Sequence, residues 1–193
     1  MTEGGAGRRE RDPDARRGET DGGDLPPRIV LVGFMAAGKS TVGRRVAERA
    51  GYPFLDLDDE VEEMAGRSIP ELFRREGEEA FREMEAEVTR RADDVRPAVI
   101  AAGGGWMARP ELADRWEDAA RVWLRVSPEA VLERIGDDLS SRPMLDPGSP
   151  LRSIRAILEA RRPQYARAEH EVATDGRTPE EVAEAVLAAV RRG

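Results

Sequence analysis

The sequence of 193 residues has no cysteine, a single histidine and a single lysine. The lack of cysteine excludes a disulfide scaffold, a thiolate metal site and a cysteine nucleophile. With His170 as its one histidine, the chain has no histidine cluster for a metal, and we do not expect a Ser/His/Asp hydrolase. No apolar run approaches the ~20 residues that a membrane helix needs, so we expect no membrane partner.

Positive charge is also in deficit, since 31 Lys and Arg stand against 39 Asp and Glu for a net charge of −8. A nucleic-acid-binding surface needs a positive field, so we expect no nucleic-acid partner. The N-terminus lacks the apolar segment of a secretory signal, and we expect a cytoplasmic protein.

Residues 1–25 contain few apolar side chains and cannot offset their ordering entropy by burial, so a disordered tail is predicted there. Residues 26–193 are predicted to form a single domain. The polar, Gly- and Pro-rich stretch at 136–150 is long enough to be a mobile loop or lid.

Apolar runs alternate with amphipathic segments after Pro26-Pro27. This alternation predicts an α/β fold, a parallel sheet with helices on both faces. The predicted helix caps are Ser68 with Glu71, Ser127 with Pro128, and Thr178 with Glu181. Strands are predicted at 28–32, 54–58, 98–102, 121–126 and 170–174, and helices at 39–50, 78–94 and 150–168 and from 179 onward.

The segment GFMAAGKS at 33–40 fits the phosphate-binding pattern G-x-x-x-x-G-K-[S/T] and contains the only lysine of the chain. It follows a predicted strand and begins a predicted helix, which is the context that makes the pattern specific. Backbone N–H groups and the helix N-terminus surround an anion, the lysine reaches the β- and γ-phosphates, and the serine hydroxyl can bind Mg²⁺. The residues predicted to bind ATP here are Gly33, Ala36, Ala37, Gly38, Lys39, Ser40 and Thr41.

Two carboxylates, Asp56 and Asp58, stand two residues apart near the end of the second strand, which places both side chains on one face. That strand end shares a crevice with the phosphate loop. One carboxylate can orient the water shell of Mg²⁺ and the other can accept a proton from a substrate hydroxyl. The alternative is that one of them caps the helix that follows.

The third strand ends in Gly103-Gly104-Gly105 and not in an acid, which leaves Asp56 as the candidate near Mg²⁺. The glycines offer bare backbone N–H groups to a ligand or form a flexible turn.

Arg82 and Glu85 share a helix face, where a surface ion pair is the ordinary interpretation. The residues Arg142 and Arg161 are ambiguous alone, and the tryptophans at 106, 116 and 123 are expected to pack in the core.

In their order along the chain, these motifs resemble the shikimate kinase family, small P-loop kinases of the aromatic amino-acid pathway. The matching segments are GFMAAGKST, FLDLDDE, SIPELFRREGEEAFREMEAE, GGG, SRPML and RRPQY, from about residue 28 to the C-terminus. The resemblance implies a P-loop NTPase three-layer α/β/α fold of nucleoside-monophosphate-kinase type, with a five-stranded parallel sheet and a lid. It also implies transfer of the γ-phosphoryl group of Mg-ATP to the 3-hydroxyl of shikimate, by an enzyme that is usually a monomer.

The resemblance further implies a role for each candidate. Lys39 and Ser40 hold the phosphates and Mg²⁺, Asp56 binds a water of the ion, and Asp58 contacts the substrate hydroxyl and serves as base. Arg82 and Arg161 would bind the carboxylate of the substrate, Glu85 would hold the shape of the substrate pocket, and Gly104 and Gly105 would contact the substrate through their backbone N–H groups. Arg142 would close with the lid over the transferring phosphate, and Arg134 and Pro179 would flank the adenine.

Three positions depart from the family pattern: Ala36 replaces a common glycine, Trp106 follows the glycines where a small residue is usual, and Gln164 precedes Tyr165 in place of leucine. Trp106 would put a bulky ring beside the expected substrate site and could signal a different acceptor.

The alternative functions are another kinase of the same fold, such as a gluconate-type sugar-acid kinase, and a nucleotide-binding protein that has lost catalysis. The filled positions Arg82, Arg161 and Asp58 favour shikimate, because they require a carboxylate and a hydroxyl in one small acceptor.

Overall fold

The computed structural model describes residues 25–136, 145–146 and 148–191. Residues 1–24 of the predicted tail and the central part of the predicted lid, with Arg142, lie outside these residues. The strands are β1 (Arg28–Val32), β2 (Phe54–Asp56), β3 (Ala98–Ala101), β4 (Ala119–Arg125) and β5 (His170–Ala173). The helices are α1 (Lys39–Ala50), α2 (Leu57–Ala65), α3 (Ile69–Arg91), α4 (Pro110–Ala113), α5 (Pro128–Ile135), α6 (Pro150–Tyr165) and α7 (Pro179–Val190), with 3₁₀ turns at Ala92–Asp94 and Trp106–Ala108.

The strands form one parallel sheet in the order β2-β3-β1-β4-β5. Every residue of β1 is buried, as expected for a central strand covered on both faces. The connection from β1 to β2 runs across the sheet in one direction and the later connections run in the other. Because such crossovers are right-handed, α1 lies on one face and α3 to α6 lie on the opposite face, while α7 packs beside α1. The predicted three-layer α/β/α fold is confirmed.

This topology also fixes where a ligand can bind. The chain leaves β1 toward one face of the sheet and leaves the adjacent β3 toward the other. A crevice therefore opens at the carboxyl ends of these two strands. The phosphate loop follows β1 and the three glycines follow β3, so the two segments meet at this crevice.

Two of the three predicted helix caps are confirmed. The Ser127 hydroxyl accepts a hydrogen bond from Ala130 N at 3.2 Å. Thr178 and Glu181 form a reciprocal capping box at the start of α7. The capping box predicted at Ser68 is wrong, because Glu62 Oε1 of the preceding helix accepts from Ile69 N at 2.8 Å and Ser68 makes no side-chain cap.

Helix α3 joins the helix start predicted at Ser68 to the helix predicted at 78–94, and it is interrupted at Gly77. Gly77 has φ +87° and ψ −179°, a conformation that favours glycine and kinks the helix. The segment before the break carries Ile69 and Phe73, and the segment after it carries Phe81 and Arg82. Both segments contribute to the wall of the cavity described below.

The three tryptophans are buried in the core, as predicted. The rings of Trp106 and Trp116 lie 5.7 Å apart, and the ring of Trp123 lies 5.9 Å from that of Tyr165. Within the described residues, no helix combines the length and the apolar composition needed to cross a membrane.

Candidate active site

The phosphate loop folds around its own lysine at the carboxyl end of β1. Lys39 Nζ donates to the carbonyl oxygens of Gly33 and Phe34, both at 3.1 Å. Gly38 precedes α1 with φ +92°, so the helix begins at Lys39 and directs its N-terminus at the crevice. An anion placed there would meet the ammonium group and the backbone N–H groups at the N-terminus of α1 together.

Ala36, the departure from the usual glycine, adopts φ +55°. This left-handed conformation costs a non-glycine residue roughly 1–2 kcal/mol. The Ala36 carbonyl accepts from Arg134 Nη1 at 3.0 Å, and Arg134 also donates to Thr174 Oγ1 at 3.1 Å and to its carbonyl at 2.9 Å. Arg134 thus ties the phosphate loop to Thr174, the residue that follows β5.

The two aspartates near the end of β2 are not on one strand face, so that expectation is wrong. The strand ends at Asp56 and α2 begins at Leu57. Asp56 is the N-cap of α2, and its Oδ1 accepts from Asp58 N at 3.1 Å. The alternative of a helix cap therefore holds for Asp56, while Asp58 lies in the first helical turn and faces the cavity.

Asp58 carries its charge in an unfavourable environment. Burial raises the pKa of its carboxyl, and the neighbouring carboxylates Asp56 and Asp59 raise it further, while the Lys39 ammonium opposes them. The net direction is upward. A carboxylate with a raised pKa accepts a proton more readily than an exposed one, as a general base requires.

Arg82 and Glu85 form an ion pair, but it is not the surface pair that their spacing suggested. Arg82 Nη1 donates to Glu85 Oε2 at 2.9 Å, and the Glu85 side chain is only 2% exposed. Burial raises the pKa of Glu85, and Arg82 opposes that shift. The second oxygen, Glu85 Oε1, is buried without a hydrogen-bond partner. Arg82 also bonds Glu78 at 3.1 Å.

The three glycines after β3 lie where side chains would collide with the charged groups. A Cβ on Gly103 would stand 2.9 Å from both Asp58 Oδ1 and Glu85 Oε1, and one on Gly105 would stand 2.9 Å from the guanidinium nitrogens of Arg82. The turn is therefore close-packed against these side chains. The interpretation as a merely flexible turn does not hold, because Gly104 O also accepts from Tyr165 OH at 2.6 Å and from Arg161 Nη1 at 3.2 Å.

One cavity of about 430 Å³ brings most of the predicted site together. The predicted site residues that line it are Ala36, Gly38, Lys39, Ser40, Thr41, Asp58, Arg82, Glu85, Gly104, Gly105 and Arg161. Its apolar wall consists of Met35, Ile69, Phe73 and Phe81, which the sequence did not single out. The spacing of Ile69 and Phe73 was a visible signal, but a stripe of this kind is equally typical of a core face.

Trp106 does not crowd the acceptor site, contrary to expectation. It is fully buried and is not part of the cavity wall. Its indole Nε1 donates to Thr89 Oγ1 at 3.2 Å, on the core side of α3. The other departure, Gln164, lies on α6, where its amide nitrogen can face the carbonyl oxygens of Ala160 and Arg161.

The residues expected near Mg²⁺ have suitable chemistry for it. Ser40 is on the cavity wall and Asp56 is buried two residues before Asp58, and both offer the oxygen ligands that Mg²⁺ prefers. In the part of the chain that the structure describes, no three His, Cys, Asp or Glu side chains form a metal cluster. Mg²⁺ is commonly held by one or two protein oxygens together with substrate phosphates and water.

The parallel sheet, the phosphate loop and the polar cavity beside it define a P-loop kinase of small molecules. The family model for shikimate kinase matches residues 35–191. The chain belongs to the shikimate kinase family.

Relatives and solved structures agree with this assignment. The shikimate kinase of Moorella thermoacetica (strain ATCC 39073 / JCM 9320) is 44% identical over 168 residues, covering 86% of this chain and 96% of that protein. The structure of shikimate kinase from Acinetobacter baumannii in complex with shikimate superposes with a TM-score of 0.81 at 34% identity, covering 87% of this chain and 94% of the other. A gluconokinase from Sinorhizobium meliloti 1021 has a TM-score of 0.57 at 23% identity over 87% of this chain and 93% of its own, a likeness of fold alone.

Proposed function

We propose that this chain transfers the γ-phosphoryl group of ATP to the 3-hydroxyl of shikimate, giving ADP and shikimate 3-phosphate. The observation that carries the proposal is the single cavity in which the lysine of the phosphate loop, a buried carboxylate and two guanidinium groups meet. Family membership supports the same reaction. The cavity suits one small acceptor that bears a hydroxyl and a carboxylate.

The acceptor carboxylate binds between Arg82 and Arg161. These side chains come from α3 and α6 and lie on either side of the glycine turn, Arg82 against Gly105 and Arg161 against Gly104. Each guanidinium is oriented before substrate arrives, Arg82 by Glu85 and Arg161 by its bond to the turn. Planar guanidinium groups bind carboxylates through paired, charge-assisted hydrogen bonds, which fixes the ring orientation.

Asp58 is the general base. Its carboxylate accepts the proton of the 3-hydroxyl as the hydroxyl oxygen forms its bond to the γ-phosphorus. The bond from that phosphorus to the β,γ-bridging oxygen breaks, and the electron pair leaves with ADP. The raised pKa of Asp58, caused by burial and opposed by Lys39, suits it to hold this proton.

Lys39 neutralises negative charge on the transferring phosphates, and the N-terminus of α1 contributes its N–H groups. Mg²⁺ would be held by Ser40 and, through water, by Asp56. When bound, the ion supplies positive charge that stabilises the phosphate oxygens.

The remaining assignments concern the lid and the adenine. Arg142 is proposed to close over the transferring phosphate, although it lies outside the described residues. Arg134 and Pro179 are proposed to flank the adenine. The expectations of a monomeric, cytoplasmic protein without nucleic-acid partners stay predictions.

The test is coupled ADP release with Mg-ATP, measured alone and with shikimate, quinate or gluconate. We expect shikimate to raise the rate at least about tenfold over ATP alone, since hydroxyl and carboxylate must be presented together for transfer. Quinate and gluconate should give little stimulation. A chain that binds ATP but responds only to gluconate, or to none of the three acids, would disprove the proposal.

A further inference from the structure

The turn after the three glycines contacts α3 at two points that the proposed reaction does not explain. We call residues Trp106 to Arg109 the clamp turn. Its last residue, Arg109, donates from Nη1 to the backbone carbonyl of Arg82 at 2.7 Å. The same Nη1 lies 3.9 Å from Glu85 Oε2, so one carboxylate oxygen faces both Arg82 and Arg109.

The first residue of the clamp turn reaches the same helix from the core side. Trp106 Nε1 donates to Thr89 Oγ1 at 3.2 Å, and Thr89 Oγ1 donates to the Glu85 carbonyl at 2.7 Å. Trp106, Thr89 and Glu85 are all buried. Since water cannot replace these bonds easily, they link the turn to the helix at the level of Glu85.

The clamp turn therefore contacts α3 at Arg82 and at Thr89, and the Thr89 hydroxyl in turn bonds the backbone carbonyl of Glu85. It is continuous with Gly105, on which the Arg82 guanidinium rests. Removing either contact would let the turn and the helix move relative to each other. Arg82 would then lose its fixed position at the carboxylate end of the cavity.

Arg109 also affects the charge balance of the site. Glu85 is buried with one oxygen unpartnered, and the charged groups that face it are Arg82, Arg109 and Asp58. When a substrate carboxylate shares the Arg82 guanidinium, Arg109 remains as a second cation beside Glu85. It limits the electrostatic cost of binding a further carboxylate there.

We propose that Arg109 and Trp106 are positioning residues that act through Arg82 and Glu85 to set the affinity for the acceptor carboxylate. The inference rests on the proposed function, because it assumes that Arg82 binds that carboxylate. A residue that orients a ground-state contact changes KM for the acceptor and leaves kcat nearly unchanged.

The test compares two matched pairs of variants in steady-state kinetics. Arg109→Met removes the donor and the charge, whereas Arg109→Lys keeps a cation. Thr89→Val removes the hydroxyl that joins Trp106 to Glu85, whereas Thr89→Ser keeps it. The control is Arg90→Met, which changes an exposed arginine of α3 that pairs with Glu87 in the same part of the helix.

We expect Arg109→Met to raise KM for shikimate about fivefold to tenfold, as loss of one charge-assisted hydrogen bond implies, with kcat and KM for ATP within about twofold of wild type. Arg109→Lys should recover most of the loss. Thr89→Val should raise the same KM about threefold and Thr89→Ser should not. Arg90→Met should match the wild type.

Equal KM for shikimate in all variants, or a parallel rise in KM for ATP, would overturn the inference. If Arg109→Met fails to fold, the Thr89 pair alone decides. A wild-type chain without shikimate-dependent ADP formation would instead refute the proposed function, and with it the acceptor that the clamp turn is inferred to position.

Discussion

The two ends of the sheet both contain buried charge, but they use it in opposite ways. At the amino end, Arg28 is 3% exposed, pairs with Asp118 at 2.8 Å, donates to the Asp93 carbonyl and lies 5.3 Å from the Trp116 ring centre. Asp93 in turn bonds Arg115 and the indole of Trp116. Each carboxylate in this group has cationic or N–H partners.

At the carboxyl end the carboxylates are less well satisfied. Burial raises the pKa of Asp58, and Glu85 has one buried oxygen without a partner. By contrast, hydrogen bonds from Arg115 hold the pKa of Asp93 below its usual value. The environment thus lowers the pKa of an aspartate at one end and raises the pKa of an aspartate at the other. The first arrangement contributes stability, and the second leaves charge available for a substrate.

The largest effect should come from Asp58→Asn. Because the proposed base is lost, we expect kcat to fall by about 10²–10⁴-fold while KM for shikimate changes much less. The raised pKa means that ionised Asp58 costs folding free energy at neutral pH, so the thermal midpoint of the variant should equal or exceed that of the wild type. Wild-type kcat/KM should fall as the pH drops through this raised pKa.

The matched control for this prediction is Asp59→Asn. Asp59 is the exposed neighbour, bonded to Arg44 at 3.4 Å, and its replacement should leave turnover within about twofold. Near-wild-type turnover of Asp58→Asn, with shikimate still bound, would show that another group takes the proton.

A smaller effect is expected from Arg161→Ala. Losing one half of the proposed carboxylate clamp should raise KM for shikimate about tenfold to a hundredfold, with much less effect on KM for ATP. The adjacent exposed residue gives the control, and Arg162→Ala should leave both constants near wild type. Equal increases in the two KM values for Arg161→Ala would indicate a structural role, as at the amino end of the sheet.

The smallest effect should come from Asp93→Asn at the amino end. We expect a loss of about 1 kcal/mol in the free energy of unfolding at neutral pH, since the ion pair is partly exposed. The lowered pKa makes this stabilisation present above the usual carboxyl pKa and lost as the pH falls through the folded-state value. Urea unfolding at several pH values measures it, with the exposed neighbour Asp94→Asn as control. A change in kinetics with unchanged stability would contradict the comparison between the two ends.

Much of the site could be predicted because its chemistry is local. The phosphate loop is a continuous segment whose lysine, glycines and following helix have a fixed relation, and the structure places Lys39 and Ser40 on the cavity wall as expected. The caps at Ser127 and Thr178 are equally local and were predicted correctly.

The errors arose at the ends of strands and helices. There, a shift of the boundary by one or two residues changes the direction in which a side chain points. The second strand was predicted to include Asp58, but it ends at Asp56 because that residue caps α2. The capping box at Ser68 failed because Glu62, seven residues from Ile69, satisfies the helix start instead. Hydrophobic periodicity shows neither outcome, because the first depends on a side-chain cap and the second on a contact between α2 and the start of α3.

The sequence by itself determined the alternation of strands and helices, the phosphate loop and the family motifs, since these depend on contacts between near neighbours along the chain. Only the tertiary structure decided that the Arg82–Glu85 pair is buried, that Trp106 turns away from the cavity, and that Arg109 contacts α3. Arg161 meets Gly104 across 57 residues, and Arg109 meets Arg82 across 27. Such contacts follow from the crossover geometry of the parallel sheet, which brings distant segments to the same strand ends.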